Sequence, residues 1–263
     1  MINLGQEQQN ALEFIKTFIK SKELCFSLQG YAGTGKTTII KEIINFLENE
    51  GKQYVLCEPT HKAKLVIEKF TERDAVTLHK LLSLTPNIEL FELDFNDLVF
   101  ITRNSSMLFP FNGVIICDES SMINDHLFDL LSEKASSYNC KIIFSGDRAQ
   151  LRPVNAKYYS KVFGLSNNFT LTHIYRQVED SGLSGVLPTL RTDSISHFKD
   201  FIGANGSFIC YNSIIDFFKI AVPYFRKAVK TSDILETKML AYTNSRVNAL
   251  NSKMREILFT KEN

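Results

Sequence analysis

The segment that most constrains the structure of this chain is Gly30-Tyr31-Ala32-Gly33-Thr34-Gly35-Lys36-Thr37. It matches the phosphate-loop pattern G-x-x-x-x-G-K-[ST] at every fixed position. The apolar run Leu24–Leu28 precedes it, and an apolar pattern of helical period from Ile39 to Leu47 follows it. In that strand–loop–helix order, backbone N–H groups and a helix N-terminus surround phosphate oxygens. The sequence therefore predicts a nucleoside-triphosphate site; the alternative is a glycine-rich structural turn.

The residues of this loop have separate roles in the prediction. We expect Lys36 to reach the β- and γ-phosphates and the Thr37 hydroxyl to bind Mg²⁺. The predicted nucleotide-binding residues of the stretch are Gly30, Gly33, Thr34, Gly35, Lys36, Thr37 and Thr38.

The composition is that of an ordinary globular protein. The chain has 263 residues, 44% of them hydrophobic, and a net charge of +1, so any nucleic-acid surface must be a local arrangement. The five cysteines form no CxxC or metal-ligand spacing, which indicates reduced residues in a cytoplasmic protein. The N-terminus lacks signal-peptide features, and no apolar run approaches the roughly 18 residues that suggest a membrane span. We therefore expect no membrane partner.

The pattern of the first 150 residues alternates short apolar strands with amphipathic helices. Strands are predicted at 24–28, 54–58, 114–117 and 141–145. Helices are predicted at 6–20, 36–49, 61–71, 77–83 and 124–136. Such alternation favours an α/β fold with a parallel sheet covered on both faces, and ligands of such sheets bind at the carboxyl ends of the strands.

Two regions depart from this alternation. Residues 84–112 carry two prolines and five phenylalanines and favour an inserted hairpin; the alternative is a loop that folds its aromatic residues onto the core. We expect a first domain at 1–165 and the beginning of a second at 166–263. The second has predicted strands at 207–211 and 238–242 and predicted helices at 183–191, 213–229 and 245–259.

An acidic pair follows the predicted strand at 114–117. In phosphate-loop enzymes an acid at the position of Asp118 holds Mg²⁺, and a glutamate at the position of Glu119 can act as the general base for the attacking water. The alternative is an acidic turn after a buried strand.

A glutamine lies beyond the next predicted strand, within Gly146–Val154. The amide of Gln150 can hydrogen-bond a γ-phosphate or the attacking water, and can thereby report hydrolysis to the residues after it. Taken alone, the segment could equally be an ordinary turn.

In this order, the three motifs resemble those of superfamily 1 DNA helicases, and specifically the 5′-to-3′ branch of RecD-like and bacteriophage Dda-like enzymes. The resemblance implies a RecA-like phosphate-loop domain, a strand-separating pin at 84–112 and a second RecA-like domain. It also implies ATP with Mg²⁺ as cofactors, single-stranded and fork DNA as partners, and replication or repair proteins in a bacterial or phage-infected cell. DNA rather than RNA rests on the resemblance alone.

Other segments extend the resemblance over essentially the whole chain. It implies that Gln8 binds the adenine edge, that Tyr175 lies against the base and that Arg176 is an arginine finger. The implied catalytic residues are Lys36, Asp118, Glu119, Gln150 and Arg176. The implied DNA contacts are Pro59, Thr60, His61, Thr77, His79, Pro153, Val154, Thr243 and Asn244.

Several of these residues have a simpler interpretation that the sequence leaves open. Arg176 could be a surface arginine and Tyr175 a core residue. His61 and His79 could be histidines at helix starts. Thr60 could be a helix N-cap, which is compatible with a DNA contact.

The family pattern continues beyond the segment at Asn244 with an SH3-like insertion and two further motifs, one of which supplies a second arginine. These do not occur before Asn263, so we expect the second domain to be incomplete and the fragment to hydrolyse ATP weakly without unwinding DNA. The alternative function is a nucleotide-dependent module that binds single-stranded DNA with little or no ATPase. A small-molecule kinase ranks lower, because it accounts for neither Gln150 nor the Tyr175-Arg176 pair.

Overall fold

The computed structural model describes residues 4–86, 100–102, 109–154, 156–175, 186, 199–231 and 237–259. The chain divides into two compact units, Met1–Gln177 and Val178–Asn263. We describe each unit by itself.

The first unit is built on a parallel sheet. Its strands in chain order are β1 (Cys25–Gly30), β2 (Tyr54–Glu58), β3 (Ala75–Thr77), β4 (Leu84–Pro86), β5 (Phe100–Thr102), β6 (Val114–Cys117), β7 (Lys141–Gly146) and β8 (Asn168–Leu171). Six of them form one sheet in the order β3-β2-β6-β7-β1-β8, and every neighbouring pair is parallel. The predicted α/β fold with a parallel sheet is confirmed.

Helices cover both faces of this sheet. They are α1 (Gln6–Lys20), α2 (Lys36–Asn49), α3 (His61–Thr71), α4 (Leu78–Leu81) and α5 (Asp125–Ser137). Side chains alternate along the strands, so Ile116 packs in one buried cluster with α1 and α2, while Ile115 packs in a second with α4 and α5. All four residues of β6 are buried, as expected for a central strand.

Polar caps fix where three of these helices begin. The Thr60 hydroxyl accepts a hydrogen bond from the Ala63 N–H at 3.2 Å, and the Thr77 hydroxyl accepts one from the Lys80 N–H at 3.2 Å. Asn124 accepts from the Leu127 N–H at 2.9 Å. The N-cap interpretation of Thr60 is therefore confirmed.

The strands β3 and β8 are absent from the sequence prediction. They are three and four residues long, too short for a recognisable apolar alternation. Because β8 pairs with β1, the first unit continues past the boundary predicted at residue 165. The predicted helix at 77–83 is shorter, because Thr77 ends β3 and caps α4.

The insertion predicted as a hairpin is a hairpin at its base. β4 pairs antiparallel with β5, with Leu84 opposite Thr102. Phe109 packs against the core and against the Tyr138 ring at 5.4 Å, whereas Phe111 is exposed. Phe91 and Phe95 lie outside the described residues.

The second unit contains a short hairpin and two helices: β9 (Phe201–Gly203), β10 (Gly206–Phe208), α6 (Ile214–Thr231) and α7 (Asn244–Phe259). The strand predicted at 238–242 is wrong, because that segment pairs with no strand in the described part of the chain. The helix predicted at 183–191 lies outside the described residues except for Val186. Of the helices described in either unit, none combines the length and apolarity that crossing a membrane requires.

Candidate nucleotide site and nucleic-acid surface

The phosphate loop joins β1 to α2 and is already curled. Gly33 and Gly35 have φ angles of 87° and 84°, in the left-handed region that side chains rarely adopt. A Cβ atom on Gly35 would also collide with the Gln8 amide. The Thr34 hydroxyl donates to the Tyr31 carbonyl at 2.8 Å. These angles and contacts give the loop the curled backbone that the phosphate-loop motif requires.

Lys36 lies over this loop. Its ammonium group donates to the Gly30 carbonyl at 2.7 Å and to the Tyr31 carbonyl at 3.1 Å. Burial raises the pKa values of Asp118 and Glu119, and the positive charge of Lys36 partly opposes that rise. Lys36 is thus placed between the loop and the acidic pair, as the motif requires.

The acidic pair lies at the carboxyl end of β6. Burial raises the pKa of Asp118, against the Ser145 side chain, the Glu119 N–H and Lys36. Burial, followed by the negative charge of Asp118, raises the pKa of Glu119. Glu119 also has a left-handed backbone, with φ of 47°, which turns the chain away at the strand end.

A single pocket of about 760 Å³ brings the predicted catalytic side chains together. Thr37, Asp118, Glu119 and Gln150 all line it. The charge of Lys36 acts on the same acids, so three separate sequence motifs meet at one edge of the sheet. Arg176 lies outside the described residues.

The donor set of this pocket fits Mg²⁺ only in company with a nucleotide. The Thr37 hydroxyl and the Asp118 carboxylate are hard oxygen donors, which Mg²⁺ prefers. Within the described ranges there is no group of three or more His, Cys, Asp or Glu side chains that could hold a metal by itself. Mg²⁺ commonly completes its shell with waters and phosphate oxygens, so Thr37 and Asp118 suffice for that arrangement.

Asp147 is a site residue that the sequence interpretation missed. It is buried, and its two carboxylate oxygens accept hydrogen bonds from the Ala32 N–H at 3.0 Å and the Ala149 N–H at 2.9 Å. The carboxylate therefore ties the phosphate loop to the segment that carries Gln150. The sequence signal that could have identified it is the position of Asp147 directly after Gly146, the last residue of β7.

Glu58 is a second missed residue. It is the last residue of β2, is 1% exposed and lines the same pocket as Asp118. Among the described residues, its Oε2 atom has no hydrogen-bond partner. Burial, with smaller contributions from Asp118, Cys117 and Glu119, raises the pKa of Glu58 to about 10.

The residues predicted for the adenine side lie around the N-terminus of α1. The Gln8 amide donates to the Thr34 carbonyl at 3.1 Å and accepts from the Gly5 N–H at 3.0 Å. A side-chain amide has two donors and two acceptor positions, so the described residues use half of its capacity. Gln8 is therefore fixed to the phosphate loop.

Glu7 fastens this region to the end of the sheet. Its carboxylate accepts from the Thr172 N–H at 2.9 Å, the Thr172 hydroxyl at 2.8 Å and the His173 N–H at 3.0 Å. Burial alone would raise the pKa of Glu7, but these hydrogen bonds and the charge of His173 together lower it. The carboxylate thus holds α1 against the segment that follows β8.

Tyr175 lies beside the phosphate loop. Its N–H donates to the Gly33 carbonyl at 2.8 Å, and its ring meets the edge of the His173 ring at 4.4 Å. The residue is 47% exposed, so its interpretation as a core residue is wrong. A side chain at Gly5 would collide with the Tyr175 ring, which places that ring next to Gln8.

The residues predicted to contact DNA differ in accessibility. His61 and Val154 are exposed, Thr60 and Pro59 are half-buried, and Pro153 is buried. Thr77 is buried as the cap of α4, and burial lowers the pKa of His79. Thr243 and Asn244 are exposed at the start of α7 in the second unit.

A cationic and aromatic surface near Val154 was not predicted. The guanidinium carbons of Arg148 and Arg152 lie 4.6 Å and 4.2 Å from the centroid of the Tyr159 ring, and Lys157 lies over the Tyr158 ring. No ion pair joins either arginine to a carboxylate in the described part of the chain. The interleaving of basic and aromatic residues in 148–159 was the available signal.

Comparisons with known proteins agree with this geometry. The AAA domain family matches residues 3–212. The ATP-dependent DNA helicase dda of Enterobacteria phage T4 is 31% identical over 266 residues, which cover 98% of this chain and 58% of that protein. The ATP-dependent RecD2 DNA helicase of Deinococcus radiodurans is 32% identical over 152 residues, covering 57% of this chain and 19% of that one.

Solved structures give the same fold. Pif1 helicase from Candida albicans has a TM-score of 0.60 at 21% identity, covering 100% of this chain and 56% of the other. A Bacteroides sp. Pif1 in complex with ADP-AlF4 has a TM-score of 0.53 at 20% identity, covering 96% and 57% of the two chains. The chain thus spans a little over half the length of the T4 and Pif1 proteins. The resemblance predicted from the motifs is confirmed, and the chain belongs to the AAA domain family, in the superfamily 1 helicase group that includes Dda and RecD-type proteins.

Proposed function

We propose that this chain is a motor unit of a 5′-to-3′ DNA helicase, which couples ATP hydrolysis to movement along single-stranded DNA. The observation that carries the proposal is the single pocket that joins Thr37, Asp118, Glu119 and Gln150 beside the curled phosphate loop. The similarity to the T4 helicase supports it, since that relative is 31% identical across nearly this whole chain.

In the proposed reaction, the phosphate-loop N–H groups and Lys36 bind the phosphates of ATP. Thr37 and Asp118 would hold Mg²⁺, which neutralises phosphate charge when bound. Glu119 accepts the proton of the attacking water. Because its pKa is raised, Glu119 is a stronger base than an ordinary glutamate.

Gln150 and Arg176 complete the proposed catalytic set. Gln150 orients the attacking water or the γ-phosphate, and Asp147 keeps its segment joined to the loop through the Ala32 N–H. Arg176 is proposed as the arginine finger from its place next to Tyr175 in the sequence. Tyr175 and the free capacity of the Gln8 amide are proposed to recognise the adenine base.

The proposed DNA surface follows the exposed residues at the same edge of the sheet. His61 at the start of α3 and the cluster of Arg148, Arg152 and Tyr159 offer positive charge and an aromatic face, which suit phosphates and bases. Contacts at Thr60, Thr243 and Asn244, a fork-DNA substrate, replication or repair partners and a cytoplasmic location are further proposals from the resemblance.

The test of this function is the ATPase activity of the chain with and without single-stranded DNA. We expect stimulation by DNA in the wild type and no turnover in Lys36→Ala, with DNA binding retained. A control variant, Lys52→Ala, changes an exposed lysine at the far end of α2 and should leave turnover unchanged. Unaltered ATP turnover in Lys36→Ala would contradict the assignment.

A second candidate is a nucleotide-dependent module that binds single-stranded DNA and barely hydrolyses ATP. The surface of Arg148, Arg152 and Tyr159 favours it, since a cationic and aromatic surface can bind single-stranded DNA without ATP hydrolysis. The same titration separates the two functions. Flat, near-zero turnover together with salt-sensitive DNA binding would support the module.

A further inference from the structure

Glu58 is a carboxyl group in the nucleotide pocket that the proposed mechanism does not use. It ends β2, and the pairing of Cys57 with Cys117 places it beside Asp118 at the end of β6. It is 1% exposed and lines the pocket together with Thr37, Asp118 and Glu119.

The groups around Glu58 would not compensate a negative charge on its carboxyl group. The groups that act on it electrostatically are Asp118, Cys117 and Glu119, all of which disfavour a further negative charge. No described lysine or arginine forms an ion pair with it, and its Oε2 atom accepts no hydrogen bond from the described residues. Buried carboxylates in proteins are generally paired with a cation or coordinate a metal.

The pocket can supply positive charge to Glu58 only when a cation is bound in it. Described acidic side chains do not form a metal cluster by themselves, so a cation must share the site with phosphate oxygens. A divalent cation held there by Thr37 and Asp118 would bring positive charge to the end of β2, where the Oε2 atom of Glu58 has no hydrogen-bond partner among the described residues.

We propose that Glu58 is an additional carboxylate of the divalent-cation site, acting with Thr37 and Asp118 when a nucleotide is bound. This inference rests on the proposed ATP site. It assigns Glu58 a positioning role for the cation, whereas the segment after it, from Pro59 to His61, belongs to the proposed DNA surface.

The experiment measures the affinity for a fluorescent ADP in Mg²⁺ and again in EDTA. The ratio of the two dissociation constants is the Mg²⁺ enhancement. Replacing a carboxylate that supports a metal site costs about 10- to 100-fold in metal affinity, so Glu58→Gln should reduce the enhancement by about tenfold or more. Affinity in EDTA should stay the same, because the proposed role of Glu58 requires the cation.

Three variants serve as comparisons. Glu58→Asp keeps the charge and should restore part of the enhancement. Glu58→Ala, which removes the side chain where the amide does not fit, should show the same loss as Glu58→Gln. Glu50→Gln changes an exposed glutamate at the end of α2 and should behave as wild type.

The outcomes separate this inference from the function on which it rests. Wild-type enhancement in a folded Glu58→Gln or Glu58→Ala variant overturns the role of Glu58 and leaves the ATP site intact. Affinities that fall equally in Mg²⁺ and EDTA show a merely structural role and also overturn it. Failure of the wild type to bind the ADP probe overturns the proposed function itself.

Discussion

A glutamate side chain lies at each end of β2, and the surroundings of the two carboxyl groups are opposite in character. At the first residue, the Tyr54 hydroxyl donates to Glu48 at 2.8 Å, and Arg73 donates to the same carboxylate through Nε at 2.7 Å and Nη2 at 2.9 Å. At the last residue, Glu58 is buried beside other acids. The hydrogen bond from Arg73, then that from Tyr54, lowers the pKa of Glu48 to about 2, whereas burial raises that of Glu58 to about 10.

The difference is between a glutamate whose contacts stabilise the fold and a glutamate whose charge can be compensated only by a bound ligand. A carboxylate with an arginine and a tyrosine is satisfied by the protein alone. A buried carboxyl group among acids destabilises the folded chain, and proteins keep such groups where binding or catalysis uses them. We therefore call the edge of the sheet at Tyr54 its structural end. We call the opposite edge, at Glu58 and the carboxyl ends of the strands, its chemical end.

The largest effect that would sharpen this contrast concerns Glu119 at the chemical end. Glu119→Gln should lower the DNA-stimulated kcat by about 10²- to 10⁴-fold, because a positioned general base contributes about that much. Binding of the fluorescent ADP should persist. Glu133→Gln, an exposed glutamate on α5, is the matched control. A Glu119→Gln variant with wild-type kcat would remove Glu119 from the mechanism.

The next largest effect is on stability: replacing Glu58 should stabilise the protein, whereas most substitutions destabilise one. Glu58→Gln should raise the free energy of unfolding of the nucleotide-free protein by about 1–3 kcal/mol at neutral pH, because the amide is neutral already and avoids the cost of protonating a buried carboxyl group. The pKa of Glu58 is raised from 4.5 to about 10, so its favourable contribution is complete below pH 4.5 and is lost as pH rises towards 10. The gain should therefore vanish near pH 4. Urea unfolding in EDTA measures it; a loss of stability at neutral pH would refute the contrast.

Asp147 is the intermediate case, an acid at the chemical end that the protein does satisfy. In Asp147→Asn only one amide oxygen remains, so either Ala32 or Ala149 loses its acceptor. We expect a loss of about 0.5–1.5 kcal/mol in unfolding free energy, the usual net contribution of one hydrogen bond, because Ala32 and Ala149 are exposed and water can reach the group that loses its acceptor. Asp74→Asn, at an exposed position, is the control. A stabilised Asp147→Asn would place Asp147 with Glu58 instead of with Glu48.

The smallest effect concerns the structural end. Glu48→Gln should lower the unfolding free energy by less than about 1 kcal/mol, since the pair is partly exposed and screened by water and salt. The pKa of Glu48 is lowered from 4.5 to about 2, so its stabilising contribution is present above pH 4.5 and is lost as pH falls towards 2. Urea unfolding at neutral pH and near pH 3 checks this. Variants of Glu48 and Glu58 that changed stability in the same direction would break the comparison.

Local patterns made much of the first unit predictable. The helical period from Ile39 to Leu47 and the phosphate loop gave α2, and the apolar run Val114–Cys117 gave β6 and the acids after it. These features depend on residues that are near one another in the chain. The strand predicted at 238–242 was wrong for the complementary reason: a strand needs a neighbour, and no strand in the described part of the chain pairs with this segment.

The site residues that sequence reasoning missed depend on distant parts of the chain. Glu58 lies beside Asp118 only because β2 and β6 are neighbours in the sheet, and their order is not readable from either strand. Asp147 bonds to Ala32 across 115 positions. Burial and partner identity, which set the pKa of each acid, are properties of that packing.

The hydrogen bond between the Tyr175 N–H and the Gly33 carbonyl has a mechanical consequence. Tyr175 lies two residues before Gln177, where the first unit ends. The chain therefore leaves that unit while still fastened to the loop predicted to hold the phosphates. If the phosphate loop moves, this hydrogen bond must either lengthen or move the segment at Tyr175 with the loop. The hydrogen-exchange rate of the Tyr175 amide would therefore report on the conformation of the phosphate loop.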